Sequence, residues 1–99
     1  MLTQEKVIEF LKENKENFRN NYHVTKLGLF GSFVHENSTK DSDIDILIEL
    51  EDGTKDIFEL KNNLRQYIKD NLNRDVDLAR EKYLKPYIKE KILKEALYV

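Results

Sequence analysis

The 99-residue chain has no cysteine, no tryptophan, one proline, one methionine and three glycines. Without cysteine there are no disulfides, no thiolate nucleophiles and no cysteine-ligated zinc. No apolar run approaches the roughly 20 residues that a bilayer requires, and the N-terminus carries no secretory apolar stretch. Membrane association is therefore not expected, and a cytoplasmic location is. Charge of one sign is also lacking: 17 basic against 19 acidic residues leave a net −2, which argues against a generic polyanion binder. Apolar residues are not scarce. Leu, Ile, Val and Phe number 31, too many for intrinsic disorder. One domain over residues 1–99 is expected, because two cores cut from this length would each be undersized.

The balanced total hides an uneven distribution. Residues 35–59 hold nine acids against Lys40 and Lys55, whereas residues 60–99 hold ten bases against six acids. Most of these charges suit solvated faces. An acidic middle beside a basic tail nevertheless suits a site that gathers carboxylates next to positive surface.

Hydrophobic spacing gives the organisation. Thr3 precedes Val7, Ile8, Phe10 and Leu11, the pattern of an N-capped amphipathic helix that fades near Asn20 and Asn21. Residues 24–30 are rich in strand formers and end at Gly31-Ser32. A turn cluster over 37–42 leads into Ile44–Leu50, the strongest strand signal in the chain. Thr54 or Asp56 is positioned to cap a helix bearing Ile57, Leu60, Leu64, Tyr67, Ile68 and Leu72. Residues 73–75 break it, residues 76–79 form a short strand, and Pro86 opens a last helix whose stripe, Ile88, Ile92, Leu93 and Leu97, reads as core. The predicted order is α-β-(short α)-β-α-β-α, one α/β domain.

The chemistry concentrates around two aspartates. On a strand, Asp43 and Asp45 project to one side while Ile44 and Ile46 take the other. Strands disfavour aspartate, and two carboxylates this close repel without a cation. Magnesium needs only one or two protein carboxylates plus substrate phosphates. Gly31-Ser32, directly after a strand, suits a tight turn whose backbone N–H groups and hydroxyl meet phosphate. The ten residues between Ser32 and Asp43 suffice for one helical turn and a return loop. Asp77, flanked by Val76 and Leu78 in the short third strand, is the expected third carboxylate. Asp75 sits in turn-like sequence instead. His35, Lys40, Arg80 and Lys82 are within reach of a phosphate or an acidic partner but read first as solvated surface residues, while Tyr83 and Tyr87 read as helix packing.

Gly31-Ser32, ten residues, then Asp43-Ile44-Asp45 resembles the Gly-Ser-x10-Asp-x-Asp signature of DNA-polymerase-β-like nucleotidyltransferases, and Val76-Asp77-Leu78 fits that family's third aspartate. The resemblance runs over roughly residues 24–97. It is closest to the minimal branch, the small nucleotidyltransferase antitoxins encoded beside HEPN-domain toxins. One departure stands out: Val34-His35-Glu36 replaces the Ala-Arg-Gly of many relatives. The resemblance implies a polymerase-β-like nucleotidyltransferase fold, α/β (α+β) with a short mixed β-sheet and helices packed on one face, and transfer of a nucleoside monophosphate, AMP from ATP, to a hydroxyl such as a tyrosine of a HEPN toxin. It also implies two magnesium ions held by Asp43, Asp45 and Asp77, with Asp77 the proton acceptor, and β- and γ-phosphates fixed by Gly31 and Ser32. There is no room for domains that grip a primer or tRNA, so a nucleic-acid substrate is not expected. Two alternatives stay open: neutralising a partner by binding alone, or serving as the subunit of a small-molecule (aminoglycoside-type) nucleotidyltransferase. Homo- or hetero-oligomerisation is open too.

Overall fold

The computed structural model describes residues 2–35 and 39–99. Helix α1 (Gln4–Tyr22) starts where the Thr3 hydroxyl accepts the Lys6 N–H at 3.2 Å. It ends at His23, whose left-handed backbone returns its N–H to the Phe18 carbonyl. Strand β1 (Val24–Phe30) leads into a single 3-10 turn, Gly31–Phe33. Strand β2 (Ile44–Leu50), helix α2 (Ile57–Leu72) and strand β3 (Val76–Arg80) follow. A second 3-10 turn, Glu81–Tyr83, precedes helix α3 (Pro86–Glu95) and the two-residue strand β4 (Leu97–Tyr98).

The strands form one mixed sheet in the order β3-β2-β1-β4. β1 runs antiparallel to β2 and to β4, while β2 and β3, joined through α2, are parallel. This is the element order that the hydrophobic spacing predicts and the mixed sheet that the resemblance implies. On β2 the even positions Ile44, Ile46, Ile48 and Leu50 join Leu27 and Leu29 of β1 in the core. Val7, Leu11 and Phe18 of α1 and Leu64 and Ile68 of α2 cover them. Phe10, Phe18, Tyr22 and Tyr67 meet at the seam of the two helices, where the Tyr67 hydroxyl donates to Asn14 at 3.0 Å. By alternation Asp45, Leu47 and Glu49 project from the opposite face of the sheet.

Four details differ from expectation. The short helix after Ser32 is a 3-10 turn, and the Glu36–Ser38 part of the connection lies outside the described residues. Asp56 does stand at the N-cap of α2 but, with φ 54°, makes no side-chain cap bond, and the Thr54 hydroxyl donates to the Glu51 carbonyl at 2.6 Å. Leu97 leaves the last helix and pairs with Leu29 in β4. The α3 stripe is not core. That helix buries no residue, and Ile88 is 39% exposed. No helix among the described residues is long and apolar enough to cross a membrane.

Candidate active site

Asp45 of β2 and Asp77 of β3 are register partners on adjacent parallel strands, about 4.8 Å apart in backbone spacing. They therefore share the face turned away from α1 and α2. Asp43 lies two residues before Asp45, immediately ahead of β2. Asp43 and Asp77 are exposed and Asp45 is half-buried. Burial, then the charge of Asp77, then that of Asp43, raises the Asp45 pKa from the usual carboxylate range to about 6. None of the three pairs with a basic side chain among the described residues. The structure thus brings together the three carboxylates that the sequence selects and leaves them mutually repelling.

Gly31 fixes a second part of the site. Its φ of +78° is a left-handed conformation that favours glycine, and a Cβ there would overlap the Asp45 carboxylate, standing 2.9 Å from its Cγ. The Gly31-Ser32 turn is therefore packed directly against the acidic cluster. Val34 and His35 close it by donating their N–H groups to the Gly31 carbonyl at 3.0 and 3.4 Å. Ser32 is half-buried, and its hydroxyl has no partner among the described residues.

The donor set fits magnesium: oxygen ligands only, and negative charge without a countercharge among the described residues. The fit is of an open kind. Among the described residues no three acidic or histidine groups are drawn into a closed metal cage. Magnesium tolerates this, since it keeps several waters and takes further oxygens from phosphates.

The secondary candidates separate. Arg80 donates from Nε and Nη2 to Oε1 of Glu49 at 2.9 and 2.8 Å, and the Lys82 N–H donates to Glu49 Oε2 at 2.9 Å. Arg80 is buried, so it serves an internal ion pair. His35 is exposed and meets Glu95 at 2.9 Å. Lys40 is exposed beside the loop. Tyr83 and Tyr87, expected to pack, are 71% and 75% exposed.

Two residues escaped the sequence reading. Gln4 Nε2 donates to the Phe33 and Val34 carbonyls at 2.9 and 3.1 Å, tying α1 to the glycine turn. Arg74 Nη1 donates to the Thr39 and Ser42 carbonyls at 3.0 and 2.8 Å, pinning the loop that delivers Asp43. Both partners are backbone carbonyls far away in sequence, which leave no motif.

The nucleotidyltransferase domain family matches residues 6–99. The chain is 33% identical to the protein adenylyltransferase MntA of Thermococcus cleftensis, over 100% of this chain and 98% of that one. A solved minimal nucleotidyltransferase superposes with a TM-score of 0.78 at 24% identity, covering 97% of this chain and 95% of its own. A complex of tri-AMPylated Shewanella oneidensis HEPN toxin with MNT antitoxin contains a chain of similar fold, with a TM-score of 0.57 at 22% identity. The match covers 96% of this chain and 66% of that one. With a carboxylate-lined sheet face, a glycine turn packed against it and a family match over nearly the whole length, the chain belongs to the nucleotidyltransferase domain family.

Proposed function

We propose that this nucleotidyltransferase moves AMP from ATP to a tyrosine hydroxyl of a HEPN-domain toxin and acts as that toxin's antitoxin. The observation that carries the reading is the juxtaposition of Asp43, Asp45 and Asp77 with a glycine turn that contacts Asp45. Full-length identity of 33% to a protein adenylyltransferase supports the acceptor class. In this reading Gly31 and Ser32 hold the β- and γ-phosphates, and Asp43 and Asp45 anchor the nucleotide through its cation. Bound magnesium supplies charge neutralisation and lowers the pKa of the acceptor hydroxyl. The acceptor oxygen forms a bond to the α-phosphorus as the bond to the β-phosphate oxygen breaks, and pyrophosphate leaves in line. Asp77 takes the hydroxyl proton.

A second reading, neutralisation by binding alone, has one observation in its favour. His35 stands where many relatives carry a basic residue, and it is engaged with Glu95. One experiment separates the two. The protein is incubated with radiolabelled ATP, magnesium and the HEPN protein of the neighbouring gene. Label on the toxin, lost when its tyrosine is changed to phenylalanine, is the expected result. A stable complex without label would establish the binding reading instead.

A further inference from the structure

Arg74 lies between the end of α2 and the strand that carries Asp77. Asn73 ends the helix in a left-handed conformation (φ 55°), with its N–H on the Lys69 carbonyl at 2.7 Å. This reverses the chain so that the Arg74 side chain returns to the 39–42 loop. There Nη1 accounts for the Thr39 and Ser42 carbonyls. One residue further on, the Asp75 carbonyl accepts the Ile44 N–H at 2.9 Å. Asp43 is thus held on both sides by one dipeptide: its preceding carbonyl by the Arg74 side chain, its following N–H by the Asp75 backbone.

The loop end is closed upon itself as well. Ser42 Oγ accepts the Thr39 N–H at 2.8 Å, and the Ser42 N–H returns to the Thr39 carbonyl at 3.1 Å. Arg74 donates to both ends of this small ring. Its guanidinium also sits 5.6 Å from the centre of the Phe33 ring, on the turn that begins with Gly31. A single side chain therefore touches all three segments that bear the site: the glycine turn, the loop before Asp43 and the approach to Asp77.

We infer that Arg74 is a positioning residue for divalent-cation binding, setting where Asp43 stands relative to Asp45 and Asp77. The inference rests on the carboxylates being the cation site of the proposed reaction. Its chemistry suits the task. A guanidinium offers several donors in a fixed plane and can hold two carbonyls while lying against a ring, whereas a lysine ammonium brings charge without that geometry. Arg74 holds the backbone around Asp43 without neutralising the carboxylate, so the site keeps its full negative charge for the cation.

The test compares wild type, Arg74→Ala, Arg74→Lys and Lys69→Ala. Lys69 forms an exposed ion pair with Asp75 at 2.9 Å and serves as the control for disturbing this corner alone. Manganese titration followed by electron paramagnetic resonance reads cation affinity directly. Hydrogen exchange reads the Asp41, Ser42 and Asp43 amides. We expect Arg74→Ala to weaken manganese binding about tenfold and to speed exchange at those amides, with the β1 and β2 amides unchanged. Arg74→Lys should fall between, and Lys69→Ala should match wild type. Equal manganese affinity in wild type and Arg74→Ala, or weakening without faster loop exchange, would overturn the inference. Fast exchange throughout β1 and β2 would mark a general folding defect, overturning it too unless Arg74→Lys recovers both readouts. Wild type that binds no manganese would instead sink the cation site, and the proposed reaction with it.

Discussion

Asp45 and Glu49 sit four residues apart on the same face of the same strand, and their acidities move in opposite directions. Burial raises the Asp45 pKa, and Asp77 and Asp43 raise it further, to about 6. Burial also pushes Glu49 upward, but the Lys82 N–H, the Arg80 guanidinium and the Leu50 N–H outweigh it, and its pKa falls below the ordinary range. At the Glu49 end both Glu49 and Glu81 have a basic counterpart, Lys26 meeting Glu81 at 2.8 Å. At the other end Asp43, Asp45 and Asp77 have none among the described residues. Under the proposed function the uncompensated end of the sheet face is the one that takes up a cation, and stability and activity divide along one strand.

The division breaks most visibly on substitution. Asp45→Asn should reduce transfer at least about a hundredfold, since it removes a carboxylate from the proposed cation site. It should leave the metal-free melting temperature equal or higher, because it relieves repulsion. Labelled-ATP assays and thermal melts in EDTA read the two effects. Loss of both activity and melting temperature would make Asp45 a structural residue. Glu49→Gln should do the reverse. Its charge-assisted bonds to buried Arg80 and to the Lys82 N–H are worth about 1.5–3 kcal/mol, or at least about 6 °C in a domain this size. Per folded molecule, transfer should stay close to wild type. An unchanged melting temperature would show that the Arg80 pair is replaceable by water.

Gly31→Ala sharpens the comparison on steric grounds. The left-handed backbone costs an alanine about 1–2 kcal/mol, and its methyl group collides with the Asp45 carboxylate. Stability should fall by that amount and nucleotide affinity should fall with it, as melts and calorimetry with Mg·ATP would show. The same substitution at Gly53, also at positive φ (81°), meets nothing within 4 Å and should cost stability alone.

What the sequence discloses follows the same line. The candidate site residues Asp43, Asp45, Asp77 and Gly31 are legible because each breaks a local preference, aspartate in or beside a strand or glycine at a strand end. The three long elements are legible from periodicity. β4 is not, because two residues carry no period and Leu97 continues the four-residue spacing from Leu93. Arg80 reads as a free cation until the fold brings Glu49 to it across 31 residues. Gln4 and Arg74 are silent for the same reason, reaching carbonyls as far as 30 and 35 residues away. Long-range hydrogen bonds to backbone have no sequence signature.

The smallest expected effect is in pH dependence. The Asp45 pKa of about 6 in the folded protein lies above the roughly 3.9 of an unfolded aspartate. Between these values the folded state binds the extra proton, so stability contributed through this group is lost as pH rises through about 6. Asp45→Asn lacks the proton and the loss. Its advantage in melting temperature over wild type should therefore be small near pH 4, grow through pH 6 and level off above it. Since Asp45 is half-exposed, solvent screening keeps the plateau near about 1 kcal/mol. Glu49 has the opposite sign: with a lowered pKa, its stabilisation is present above the ordinary glutamate range and is lost as pH falls below it. The gap between wild type and Glu49→Gln should accordingly close toward acid, while that between wild type and Asp45→Asn opens toward base. Magnesium offers a last check. Bound at the carboxylates it favours their charged forms, so at pH 7.5 it should raise the wild-type melting temperature and shrink the advantage of Asp45→Asn, and it should leave the Glu49→Gln gap where it was. An Asp45→Asn advantage that is flat from pH 4.5 to 7.5 and indifferent to magnesium would mean that the three carboxylates do not feel one another, and the contrast between the two ends of β2 would lose its electrostatic basis.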